Sequence, residues 1–128
     1  MQPASSVSRF KLTIEIVNKG SALAELVRHL SPLTSNAILK SLPLQDRVHR
    51  YEDRFVYIET GLVLGAEKQR TQFHRGDLAY LTSNGSICVF VQDAAVQPMN
   101  PLGRITDNLL VIESSKPGDV MVVKKPSY

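Results

Sequence analysis

The sequence predicts a mainly β domain of roughly six to eight short strands with one or two short helices, rolled into a closed barrel or stacked as a sandwich. Three features carry that prediction. The segment SRFKLTIEIV, residues 8–17, alternates apolar and polar side chains, the mark of a strand with one buried face. Later apolar runs are rich in β-branched and aromatic residues and are bounded by Gly, Asn, Asp or Pro. No repeat, low-complexity segment or interdomain linker interrupts them, so the strands belong to one sheet system, and closure is the simplest way to hide its edges.

At 128 residues the chain fits one domain able to bury about two thirds of the surface its unfolded form exposes. The expected organisation is a flexible segment over 1–8, a single barrel domain over 9–125 and a tail over 126–128. Hydrophobic residues at 43% and charged residues at 21% are globular values, which excludes an intrinsically disordered chain. One cysteine forms no internal disulfide, and no apolar run approaches the ~18 residues of a membrane span. MQPASSVSR at the start lacks the apolar stretch of a secretory signal, so a cytoplasmic location is expected. The net charge of +3 permits contact with polyanions without requiring it.

Within the first strand Phe10, Leu12, Ile14 and Ile16 share the buried face. After the NKG turn, Leu23, Leu26, Val27 and Leu30 recur at helical spacing, so a short amphipathic helix is predicted, capped by Ser21 and closed by Pro32. TSNAILKSLP fits no period. RFVYIET from Arg54 reads as a strand and LVLG after Gly61 as another, while 66–75 is polar and reads as a loop or solvent-facing hairpin. Gly76 to Val91 holds two apolar runs around Ser83-Asn84-Gly85, a hairpin with Asn84 or Gly85 at positive φ. Residues 93–101 look irregular, LGRI resumes a strand, DNLLVIESS gives a short helix, and VMVVKK is the last strand, with Val120 and Val122 inward.

Searched for chemistry, the chain offers little. His29, His49 and His74 lack the spacing of metal ligands, so no metal and no cofactor is expected. Cys88 sits in the apolar run SICVFV with no cation nearby, which predicts an inert buried thiol rather than a nucleophile. RVHRYEDRFVY interleaves cations with aromatics, and Arg47, Arg50, Arg54, Lys68, Arg70 and Arg75 together define a basic nucleic-acid-associated module as one alternative reading.

Several stretches taken together carry a family resemblance. GDLAYLTSNGSICVFV, a ten-residue irregular stretch, LGRITDNLLVIESSK and GDVMVV resemble the cyclophilins in order. They more closely resemble a family of small bacterial and archaeal cyclophilin-like proteins, through Gly76, Asp77 and Tyr80, Gly85, Cys88 and Phe90, and Gly103, Arg104 and Ile105. The same GDLAYLTSNG stretch also resembles half of a cupin motif, but no histidine follows it. The cyclophilin resemblance covers about the last 55 residues and implies a closed antiparallel barrel of about eight strands with helices at its ends.

In cyclophilins an Arg hydrogen-bonds the prolyl nitrogen as it turns pyramidal, beside an apolar pocket for the ring. Carried over, Phe90 matches a pocket Phe, Met99 stands where a pocket His is expected, and Arg54 is by element order the candidate catalytic residue, with Tyr57 close by on the same strand. The rest departs: Cys88 and Val89 replace Gln and Phe, Glu59, Thr60 and Leu62 replace an aromatic, Met and Gln, and the chain has no Trp. FHR at 73–75 copies the cyclophilin letters but runs into the Gly76-Asp77 turn.

The expected function is binding of a peptide segment or small ligand in a cleft near Phe90, with weak or no prolyl isomerase activity. An active peptidyl-prolyl isomerase is the alternative. On this expectation Phe90 faces a surface cleft and its removal costs less than that of a core Phe. No membrane partner is expected, and oligomeric state is left open.

Overall fold

Strand β1 (Arg9–Ile16) and strand β2 (Gly20–Val27) form a hairpin in the computed structural model, which describes residues 8–126. Apart from Ser8 and Pro126, the expected flexible segment 1–8 and tail 126–128 lie outside the described residues. Asn18 adopts positive φ at the turn. The helix predicted over residues 21–30 is therefore corrected to a strand. Ala22, Ala24 and Leu26 point inward at every second residue, and pairing with β1 overrides a helix-favouring composition rich in Ala, Leu and Glu.

Pro32 does not close a helix but opens one. Helix α1 (Pro32–Ser41) covers the ambiguous TSNAILKS stretch, with Pro in the first turn where a missing N–H costs nothing. A 3-10 turn, Arg28–Leu30, links it to β2. Strands β3 (Leu44–Arg47) and β4 (His49–Tyr51) follow, neither predicted, and then β5 (Phe55–Glu59). LVLG keeps its alternation, since Leu62 and Leu64 pack on the core while Val63 is 96% exposed, but it joins no ladder. Side chains satisfy its backbone instead: the Tyr80 hydroxyl donates to the Leu62 carbonyl and the Asn100 amide to the Gly65 carbonyl.

Strand β6 (Arg70–Phe73) lies inside the predicted polar loop. Strands β7 (Asp77–Leu81) and β8 (Ser86–Phe90) form the predicted hairpin, with Gly85 at φ +69°. A Cβ at Gly85 would sit 2.5 Å from the Leu62 carbonyl oxygen, so the turn needs glycine twice over. The supposedly irregular 93–101 is the first half of one long strand, β9 (Ala94–Asp107). Helix α2 (Leu109–Glu113) and strand β10 (Val120–Lys124) end the fold as expected, except that Met121 and Val123 face inward rather than Val120 and Val122. A shift of one residue exchanges the two faces of a strand.

All pairings are antiparallel, in the order β3-β10-β1-β2-β9-β7-β8-β5-β4, with β6 attached to β9, giving ten strands. The prediction of a closed barrel of about eight strands is corrected on both counts. The sheet rolls up so that its end strands β3 and β4 follow one another in the chain, separated by buried Val48 alone, but no ladder joins them. Consecutive strands one residue apart have no turn in which to reverse and pair. A side chain stitches the seam: the Asp46 carboxylate accepts the Glu59 N–H at 2.9 Å. Among the described residues no helix is long and apolar enough to cross a membrane.

Two apolar cores result. The interior one joins Leu12, Ile14, Leu26, Val56, Tyr80 and Val89 of the strands with Ile38 of α1 and Ile112 of α2. The second lies on the outer face of the wall, where Phe55, Ala79, Leu81, Cys88 and Phe90 meet Phe73 and Met99. Every residue of β8 is consequently buried, on one face by the barrel interior and on the other by the ribbon of β6 and the start of β9.

Candidate functional site

Antiparallel pairing of β5 with β8 sets Phe55 opposite Phe90 and Tyr57 opposite Cys88, and the Val91 N–H donates to the Arg54 carbonyl. Arg54, Tyr57, Phe90 and Met99 are thus brought into one neighbourhood. They form a packed wall, however, and the expectation that Phe90 faces an open cleft is corrected. Phe90 and Met99 are 0% exposed. Phe73, carried on β6, stacks over Phe90 with ring centroids 4.8 Å apart and planes 14° from parallel. Phe55 packs on the same ring at 5.2 Å, and half-buried Tyr57 tilts against Phe55 and stacks on His49.

The Arg54 guanidinium is engaged. One Nη donates to the Ala95 carbonyl at 3.1 Å and Nε faces the Glu52 carboxylate at 3.2 Å, which fastens the start of β9 to the wall. Cys88 lies beside Phe90 on the outer face, and burial without a cation pushes its thiol pKa up. No three His, Cys, Asp or Glu side chains among the described residues are grouped to hold a metal ion.

An open concavity lies one ring away. Phe73 stacks on Phe90 and, although only 2% exposed, borders a mainly polar cleft of about 240 Å³ whose other apolar lining residues are Val27, Leu30, Leu78 and Pro101. Three arginines border it: Arg9 from β1, Arg70 from β6 and Arg104 from β9. Glu25 on β2 sits between two of them, 2.6 Å from Arg9 and 3.6 Å from Arg104 through a single carboxylate oxygen. Asp77 also lines the cleft and accepts the His74 N–H at 2.8 Å. Arg70 has no hydrogen-bond or ion-pair partner among the described residues. A second hollow of about 470 Å³ shares Asp77 and Arg104 with it and extends to Arg75, whose guanidinium is held by Glu113.

Gly103 also lines the cleft. Its position opposite Leu26 puts its Cα so close to the Glu25 carbonyl that any Cβ would collide with that oxygen. A model of the family described as cyclophilin-like matches residues 9–124. The chain belongs to the cyclophilin-like family. No curated protein sequence matches it. Among solved structures the cyclophilin-like chain is similar to a hypothetical protein of Archaeoglobus fulgidus, determined in solution, at TM-score 0.80 and 22% identity over 96% of this chain and 99% of that one. That likeness concerns the fold.

Arg9, Arg104 and Phe73 were not singled out as site residues by sequence. Arg104 read as part of a strand motif and Phe73 as part of a coincidental FHR. The one usable signal was the length of β9, obscured by Pro98 and Pro101, because a strand continuous through both would have carried Met99 and Arg104 onto one wall. Of the six cations in the nucleic-acid reading, Arg47, Arg50, Arg54, Lys68 and Arg75 donate to protein carbonyls or a carboxylate, and Arg70 alone has no side-chain partner among the described residues.

Proposed function

We propose that this cyclophilin-like protein is a binding module for a peptide segment or small molecule, with weak or no prolyl isomerase activity, and that its ligand sits in the cleft beside the Phe90 stack. The observation that carries this reading is the position of Phe73. Its ring is stacked on Phe90, over which a proline ring would need to sit, and the same side chain borders an open cleft. Isomerisation further asks for a guanidinium free to donate to a nitrogen losing amide resonance against a barrier of about 18–20 kcal/mol. Arg54 already donates to Ala95 and faces Glu52.

The surface this cleft exposes is mainly polar, with arginine and carboxylate side chains converging beside a few apolar ones, which suits a charged ligand. A protease-coupled assay with an Ala-Pro-Phe peptide tests the enzymatic half: the rate with micromolar protein should match the uncatalysed rate. Catalysis abolished by Arg54→Ala would overturn the reading in favour of an isomerase. Strong, salt-sensitive binding of single-stranded nucleic acid across the β3–β5 face would instead favour the basic-module alternative.

A further inference from the structure

Resting on the proposal that the cleft is the binding site, we infer that it takes an organic carboxylate with a small apolar body, held by Arg70 and Arg104 with the body toward half-buried Leu30 and the border formed by Phe73. The donor inventory is unbalanced. A guanidinium offers five N–H donors and no acceptor. Arg9, Arg70 and Arg104 meet around the cleft, whereas the nearby acceptors are the carboxylates of Glu25 and Asp77, the latter already accepting a backbone N–H. Three positive charges against two negative leave one in excess, which matches a monoanion. A phosphate dianion would meet the Glu25 and Asp77 charges without enough compensation.

Position supports the same chemistry. Glu25 holds Arg9 firmly and Arg104 loosely, since 3.6 Å is beyond a hydrogen bond and leaves the Arg104 donors with no hydrogen-bond partner among the described residues. Arg70 extends from β6, the strand that also carries Phe73, so one short strand supplies both a cation with no partner among the described residues and an aromatic side chain at the cleft's border. A carboxylate is the planar partner that a guanidinium fork binds through two parallel hydrogen bonds. At about 240 Å³ the cleft lies below the roughly 300–1,000 Å³ of drug-sized sites, which limits the body to one residue or one ring. Two sources share this chemistry, a free small acid and the C-terminal residue of a peptide.

Amide chemical shifts of the full chain, titrated with phenylacetate, its amide, a four-residue peptide ending in Leu as free acid and as amide, and inorganic phosphate, test the inference. The acids should shift Phe73, Asp77, Gly103 and Arg104 saturably, and each amide should bind about tenfold more weakly, as expected when a charge-assisted pair is lost. Arg70→Gln should weaken acid binding about fivefold or more without moving the melting temperature, because Arg70 supports nothing else. Binding of phenylacetate alone assigns the source as a free acid, and binding of both acids admits a peptide terminus. Equal binding of acid and amide in the cleft, tighter binding of phosphate, or no effect of Arg70→Gln would overturn the carboxylate inference while leaving the binding module intact. No shift with any probe would overturn both.

Discussion

Glu67 shows how much one side chain fixes here. Its carboxylate accepts the N–H groups of Leu33 and Thr34 and the Thr34 hydroxyl, so it caps helix α1 from a loop more than thirty residues away. Burial pushes its pKa up, but the bonds from Thr34 and Leu33 outweigh that, and the net result lies below the ordinary value of 4.5. A depressed carboxyl stabilises the fold above its unfolded value and loses that contribution as pH falls through the folded one. Glu67→Gln should therefore cost about 1–2 kcal/mol in urea melts at pH 7, and the difference from wild type should shrink as the pH drops below 4.5. Cys88 should resist a thiol reagent at neutral pH until the protein is unfolded, since its sulfur is 0% exposed among Phe55, Phe90 and Met99. Fast labelling of native protein would contradict this. The hydroxyls of Ser35 and Ser86 are buried with no partner among the described residues, so replacing either with Ala should be neutral or slightly stabilising.

Strand β6 and the start of β9 act as a cover. Without them, β5, β7 and β8 would expose Phe55, Leu81 and Phe90 as one outward apolar face, a patch that water penalises at about 25 cal/mol per Å². The sequence-based expectation that Phe90 is cheap to remove is thereby reversed. Phe90→Ala should cost a full core-sized ~3–5 kcal/mol, and Phe73→Ala should also destabilise while exposing the Phe90 ring. Thermal melts decide between them: a loss under about 1 kcal/mol for Phe90→Ala would mean that the cover is open in solution. This element also explains the limit of the sequence reading. RTQF within 68–75 is polar at all but one position, and only its pairing with Ala94, Ala95 and Met99 makes it a strand.

At the scale of the whole molecule, the sheet depends on the crossing of β2 and β9, which joins the two halves of the strand order. Gly103 is the tightest point of that crossing. Gly103→Ala should lower stability by about 2–3 kcal/mol or prevent folding, because the Glu25 carbonyl leaves no room for a methyl group. Gly65→Ala is the matching control: nothing lies within 4 Å of a Cβ there, so its melting point should stay level or rise slightly. Buried Asn100 adds a second long-range tie, accepting from Glu67 and Gln69 and donating to Thr34 and Gly65, so that β9 holds both α1 and the irregular segment after β5.

Local pattern by itself determined β1, the β7–β8 hairpin with its glycine turn, helix α2 and the class of the fold, because alternation, turn chemistry and β-branched content are properties of neighbouring residues. The face shared by Cys88 and Phe90 was legible for the same reason, since residues two apart on a strand point the same way. Tertiary structure decided the rest. Leu23, Leu26 and Val27 fit a helix as well as a strand until β1 lies alongside, and the phase of β10 depends on which of its faces meets the interior. Whether Phe90 lines a pocket or a core depended on Phe73, seventeen residues away in sequence, and the three arginines of the cleft come from β1, β6 and β9, which no local signal links. Contacts between distant segments are set by how faces cover one another in space, and a one-dimensional period records only that a face exists, not what covers it.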